Sequence, residues 1–120
     1  MHAFEILGDP VRRRIVELLA EGEQAAGEVG AVIQHEFGIS QPAVSQQLRV
    51  LRENGFATVR TAGARRLYAV DAAPLEEVDW WLQPYRHFWN QRLDALRVEV
   101  ARGKRARRAF DPTDTEGGTT

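Results

Sequence analysis

Residues 38–55 read GISQPAVSQQLRVLRENG, and this stretch decides the fold. Ser40 suits a helix N-cap, because its hydroxyl accepts a hydrogen bond from a backbone N–H that the first turn leaves free. Gly55 closes the helix as a residue that readily adopts the left-handed conformation. One stripe of the helix faces a core, since apolar residues recur at helical spacing: Val44, Leu48 and Leu51.

The opposite face of this helix carries uncharged or positive hydrogen-bonding side chains: Gln41, Ser45, Gln46 and Arg49. A helix that enters a DNA major groove needs such side chains near its N-terminal end, without carboxylates that repel phosphate. The alternative is an ordinary amphipathic surface helix with a solvated polar face. The flanking segments decide between the two.

Three helices are predicted ahead of this one: a first ending at Gly8, a second from Pro10 to Gly22, and a third from about Gln24 to Phe37. Asp9 followed by proline is a strong start signal for the second. Gly38 then makes a tight turn into the Ser40 helix. A helix, a short glycine turn and another helix are typical of a helix-turn-helix unit, whose second helix reads DNA.

After Gly55 the pattern changes to two short β-forming segments, residues 56–61 and 65–70, joined by a loop that contains Gly63. This pattern predicts a β-hairpin. Three arginines gather near its tip: Arg60, Arg65 and Arg66. They suit contacts with phosphate or a minor groove beside a recognition helix, and the alternative is a solvated hairpin.

The charge is segregated along the chain, although the net charge of the 120 residues is only −1. Within residues 40–70, Glu53 is the only acid. The bases in that segment are Arg49, Arg52, Arg60, Arg65 and Arg66. Since salt screens phosphate attraction over about 10 Å at 0.1 M, this local excess matters more than the total.

Composition limits the remaining classes of protein. The chain contains no cysteine, which excludes disulfides, thiolate metal sites and cysteine nucleophiles. No convergent carboxylates and histidines suggest an active site, so an enzyme is not expected and no cofactor is predicted. The lack of a membrane-length apolar run or a signal-peptide pattern predicts a cytoplasmic protein. We expect one domain over residues 1–108 and a disordered tail over residues 109–120.

The last predicted element is a long helix that opens at Pro74 and carries an apolar stripe too long for so small a body to cover. Such a stripe indicates a partner helix, most simply from a second copy of the chain. Pro84 predicts a kink or a break within the helix. The aromatic residues around it form either a dimer core or an apolar ligand pocket: Trp81, Tyr85, Phe88 and Trp89.

Two motifs, LGDPVRRRIVELL at residues 7–19 and ISQPAVSQQLRVL at residues 39–51, resemble the ArsR/SmtB family of bacterial transcriptional regulators. The resemblance covers about residues 4–71. It implies a mainly α fold with a small β-hairpin, a winged helix-turn-helix that dimerises through its first and last helices. It also implies DNA contacts at Ser40, Gln41, Ser45, Gln46 and Arg49, with Arg65 and Arg66 on the wing.

The sequence departs from the metal-sensing members of that family. Ala25 and Gly27 stand where those members carry a pair of thiols. Only Asp79 and His87 remain of a second site on the last helix, whereas zinc usually takes about four ligands. No metal site is therefore expected.

The resemblance and the residues together predict a homodimeric repressor of its own or a neighbouring operon. It would bind an inverted-repeat operator in double-stranded DNA and be released by a non-metal signal of unknown identity. The alternative is a winged-helix module that binds only protein. Such a module would be expected to expose apolar or aromatic anchors on its recognition face, and residues 40–49 carry none there.

Overall fold

The computed structural model describes residues 2–110, with side chains through residue 103. Its elements are α1 His2–Leu7, α2 Pro10–Ala20, β1 Gln24–Ala25, α3 Ala26–Phe37, α4 Gln41–Glu53, β2 Ala57–Ala62, β3 Arg65–Val70 and α5 Ala73–Phe110. The chain divides into two compact units between Trp81 and Leu82, within α5. The predicted tail lies, from residue 111 onward, outside the described residues. No helix within residues 2–110 is both long and apolar enough to cross a membrane.

The helix-turn-helix forms as its cap residues predict. Asp9 caps α2, its carboxylate accepting from the backbone N–H of Arg12 at 3.0 Å. Gly38 ends α3 with a φ of 68°, a left-handed conformation that glycine adopts without steric cost. Ser40 then caps α4, its Oγ accepting from the backbone N–H of Ala43 at 3.3 Å. These caps place α3 and α4 as consecutive helices joined by a three-residue turn.

The core lies between the helices and one face of the sheet. The three apolar residues of α4 that the sequence assigns to the core are all 1% exposed or less: Val44, Leu48 and Leu51. They join a buried cluster with residues of α2 and α3 and with Phe56, which precedes β2. Burying such a side chain contributes about 1.5–3 kcal/mol, so this cluster holds α4 by its apolar stripe and leaves its polar face outward.

The sheet has three antiparallel strands in the order β1-β3-β2, one more than the predicted hairpin. The extra strand corrects the predicted start of the third helix at Gln24. Gln24 and Ala25 instead pair with Tyr68 and Leu67 of β3. A two-residue strand has too little pattern to be recognised locally, and the free edge of β3 supplies its hydrogen-bonding partners.

Of the predicted kink or break at Pro84, the break is wrong, because helix α5 runs without interruption through that residue. A proline removes one backbone donor and crowds the turn before it. The 38-residue helix nevertheless continues on both sides of the proline.

Candidate nucleic-acid interface

The polar face of α4 is exposed along its first three turns. Ser45, Gln46 and Arg49 are all exposed, and the Arg49 guanidinium donates a hydrogen bond to Oε1 of Gln46. Ser40, also exposed, uses its hydroxyl oxygen as the helix cap. The structure therefore places these four predicted residues on one accessible helix end.

Gln41, the fifth predicted residue, is exposed as well, but its side chain also contacts the preceding helix. Its Oε1 accepts a hydrogen bond from Nε2 of Gln34 at 2.6 Å, so its amide turns back onto α3. Gln41 lies on the exposed face where the sequence places it, but helical periodicity does not reveal its contact with the preceding helix.

Strand register divides the arginines of the wing between two faces of the sheet. Arg65 and Arg66 are successive residues of β3 and therefore point to opposite faces. Arg60 pairs with Leu67, two residues from Arg65, and so shares the face of Arg65. Arg66 shares its face with Tyr68, which is buried.

The two arginines on the first face are engaged by carboxylates. Arg60 donates twice to Glu23, at 2.9 and 2.7 Å. These hydrogen bonds hold the pKa of the Glu23 carboxyl below its usual value and raise the pKa of Arg60. Arg65 donates to Glu28 of α3 at 2.7 Å. Arg60 and Arg65 therefore each have a neighbouring negative charge that reduces their attraction for phosphate.

Arg66 forms no ion pair with a carboxylate among the residues whose side chains the structure describes. Its guanidinium carbon lies 5.9 Å from the centre of the Tyr68 ring. A cation held over an aromatic face at such a distance gains about 0.5–1 kcal/mol at an exposed site. The contact orients Arg66 without neutralising it.

A cleft of about 510 Å³ separates α4 from the wing. Its charged and polar lining consists of Ser45, Gln46, Arg49 and Arg52 from α4 and Arg66 and Tyr68 from β3. Of the described residues that line it, three are arginines and none carries a carboxylate. The cleft is therefore a concave, positively charged surface beside the polar end of α4, a shape and charge that suit a nucleic-acid backbone.

Arg52 is a cleft residue that the sequence reasoning did not assign to the site. It is exposed and lies three residues after Arg49, which places both guanidinium groups on neighbouring positions of one helix surface. The three-residue spacing of these arginines could have placed Arg52 beside Arg49 from the sequence alone. Only the tertiary structure shows that this surface of α4 faces the wing.

Residues 9–59 match the sequence profile described as "Bacterial regulatory protein, arsR family". The HTH-type transcriptional regulator Rv2034 of Mycobacterium tuberculosis is 38% identical over 91 residues, which cover 76% of this chain and 78% of that protein. The chain belongs to the ArsR family of bacterial regulatory proteins. It is accordingly a DNA-binding transcriptional regulator with a winged helix-turn-helix fold, and not an enzyme.

Two further comparisons extend the ArsR-family similarity. The transcriptional repressor SdpR of Bacillus subtilis is 28% identical over 82 residues, covering 68% of this chain and 87% of that protein. A solved structure of a possible transcriptional regulator for arsenical resistance superimposes with a TM-score of 0.59 at 35% identity. That match covers 82% of this chain and 96% of the other, so it includes most of the elements beyond the profile.

The two compact units also expose large apolar side chains. In the first unit, the rings of Phe4 and Trp81 meet edge to face with centroids 5.1 Å apart, and Trp80 is 75% exposed. In the second unit, the exposed apolar residues recur at helical spacing: Tyr85, Phe88, Trp89, Leu93, Leu96 and Val100. We call these six residues the α5 stripe. A continuous apolar surface of this kind marks an interaction site.

Proposed function

We propose that this protein is a homodimeric repressor that binds an inverted-repeat operator through α4 and the wing and is released by a non-metal signal. The cleft between α4 and β3 is the single observation that carries the DNA-binding mode. It combines Arg49, Arg52 and Arg66 in one concavity whose described lining includes no carboxylate. Such a surface attracts a phosphate backbone while the polar end of α4 approaches the base edges.

Base recognition falls to the exposed end of α4. Arginine pairs best with guanine through two parallel hydrogen bonds, and glutamine pairs in the same manner with adenine. Arg49 and Gln46 already contact each other, and both are exposed. We infer that these two side chains exchange their mutual hydrogen bond for contacts with base edges when α4 enters the groove.

The homodimer is proposed from the α5 stripe. Its members are between 41% and 56% exposed. Full burial of such a side chain against a partner would contribute about 1.5–3 kcal/mol of stabilising free energy. Apolar residues at intervals of three and four along a helix favour pairing with a second helix. A second copy related by a twofold axis would place two α4 helices on half-sites about one helical turn of DNA apart.

The signal that releases the repressor from its operator is proposed to be something other than a metal ion. The chain contains no cysteine, so it cannot offer the thiolate ligands that soft metal ions prefer. An apolar ligand is the alternative use of the aromatic positions Trp81, Tyr85, Phe88 and Trp89. It would release the operator only by binding the two dimer geometries with different affinity.

The test is footprinting of the pure protein on the DNA that flanks its own gene, followed by affinity measurements on the protected site. We expect Arg49→Ala to cost about 1–3 kcal/mol per half-site and to relax the sequence preference. Arg49→Lys is the matched control, because lysine keeps the charge and loses the bidentate geometry. It should retain affinity for random DNA and lose base preference. Equal weakening of Arg49→Ala on operator and random DNA would show that Arg49 contacts phosphate only.

A further inference from the structure

The first residue of α4 is attached to α3 by a side-chain contact. Gln41 lies directly after the Ser40 cap, and its Oε1 accepts from Nε2 of Gln34 in the last turn of α3 at 2.6 Å. The turn of residues 38–40 is the covalent link between the two helices. The amide contact adds a second, noncovalent link on the exposed side of that turn.

Gly30 provides the space in which this amide sits. A Cβ placed on Gly30 would lie 2.5 Å from Oε1 of Gln41 and 3.2 Å from its Cδ and Nε2. Gly30 is buried in the middle of α3, and its φ is not positive, so the backbone does not require glycine. Glycine at such a position weakens a helix by about 0.8–1 kcal/mol relative to alanine. The missing side chain therefore has a packing role, which is to seat the Gln41 amide.

The seated amide is not arranged to read a base. Bidentate recognition of adenine needs both the oxygen and the nitrogen of the amide directed into the groove. Here the oxygen is bonded to Gln34 and the whole group lies against Gly30. We propose that Gln41 is a positioning residue that sets the angle between α3 and α4 and leaves base reading to Ser45, Gln46 and Arg49. The proposal rests on the operator binding proposed above.

The experiment is a double-mutant cycle in the full chain, with operator affinity as the first readout. Gly30→Ala should push the flexible amide off its seat, and Gln41→Ala should remove the amide. We expect each to weaken operator binding by roughly tenfold, a loss of affinity within the range of couplings measured between contacting residues. Because both variants disable one contact, the double variant should bind no more weakly than the weaker of the two single variants.

Two further readouts separate positioning from general damage. Gly30→Ala should leave the thermal midpoint unchanged or raise it, since alanine favours the helix. Gln41→Ala should keep the base preference at every operator position. The matched control is Gly27→Ala, on the same helix, where an added Cβ meets no atom within 4 Å. It should bind the operator like the wild type.

Three results would overturn the proposal: additive losses in the cycle, unchanged affinity of Gly30→Ala, or a Gln41→Ala protein that loses preference at one operator position. Failure of the proposed function is visible separately. In that case the wild-type protein itself would show no preference for its inverted repeat over random DNA.

Discussion

At the scale of single residues, charge neutralisation separates the wing arginines. Arg60 and Arg65 are bonded to Glu23 and Glu28, whereas Arg66 lies over Tyr68 and lines the cleft. A paired arginine must exchange a carboxylate for a phosphate, so it gains less from DNA than an arginine that is exchanging only water. We expect Arg66 to supply the main wing contact, and a DNA contact by Arg65 stays a prediction.

Salt dependence tests this difference. Each phosphate neutralised by the protein adds about 0.9 to the slope of log K against log salt. Arg66→Ala should therefore flatten the slope by about 2 units per dimer, since two wings act. Arg65→Ala is the comparison and should flatten it less. Equal flattening by the two variants would mean that the Glu28 pair opens fully on DNA.

At the scale of elements, arginines of α2 fasten the helices to one another. Arg12 donates to the carbonyl oxygens of Ile6 and Glu5 at the end of α1 and to Oε1 of Gln47 on α4. Arg14 donates twice to Glu36 in the last turn of α3, at 2.8 and 3.1 Å. The run of three arginines in α2 is thus structural in this fold, and Arg13 likewise donates to a carbonyl of α1.

The Arg14–Glu36 pair predicts an acid-dependent loss of stability. The hydrogen bonds from Arg14 hold the pKa of Glu36 below its ordinary value of 4.5. A lowered pKa in the folded state means that the contribution is present above pH 4.5 and is lost as the pH falls through the depressed pKa. Because Glu36 is exposed and Arg14 is partly exposed, salt should screen the effect.

The acid-dependent loss of stability is measured by thermal unfolding of the wild type and of Glu36→Gln on either side of pH 4.5. The wild-type midpoint should fall more steeply with acid than that of Glu36→Gln, and the difference should shrink in about 1 M salt. Glu53→Gln is the control, because Glu53 makes no ion pair among the described side chains. Parallel curves for wild type and Glu36→Gln would show that the pair adds nothing to folding.

At the scale of the whole molecule, the chain buries one core and leaves a second apolar surface open. The core of the first unit combines residues from α1 through β3. In the second unit every member of the α5 stripe is exposed. A second copy that covers the stripe would bury these side chains and join two DNA-reading surfaces, which raises the affinity for paired half-sites through effective concentration.

Sedimentation of a charged variant tests the dimer. Leu93→Glu places a carboxylate in the middle of the stripe, where burial on a partner would desolvate it. We expect the wild type to sediment as a dimer and Leu93→Glu as a monomer with a large loss of operator affinity. Gln91→Glu adds the same charge on the opposite side of the helix and should remain a dimer. A dimeric Leu93→Glu protein would leave the stripe available for another ligand or partner.

Local sequence patterns were sufficient for most of the fold. The caps at Asp9 and Ser40, the turn at Gly38 and the apolar stripe of α4 appear where the sequence predicts them. Each of these features depends on residues within a few positions of one another, which is why periodicity and cap chemistry find them. The same patterns support the ArsR-family membership that the comparisons show.

Tertiary structure alone decided how the candidate site is charged and which side chains are free to act. Arg60 and Arg65 meet carboxylates 37 residues away in the chain, and the pairing of β1 with β3 joins residues that are still more remote in sequence. The Gln41 amide contacts Gln34 and occupies the space beside Gly30, an arrangement that depends on helix packing. Helical and strand periodicity report which face a residue occupies, whereas the partner across that face depends on how distant elements fold together.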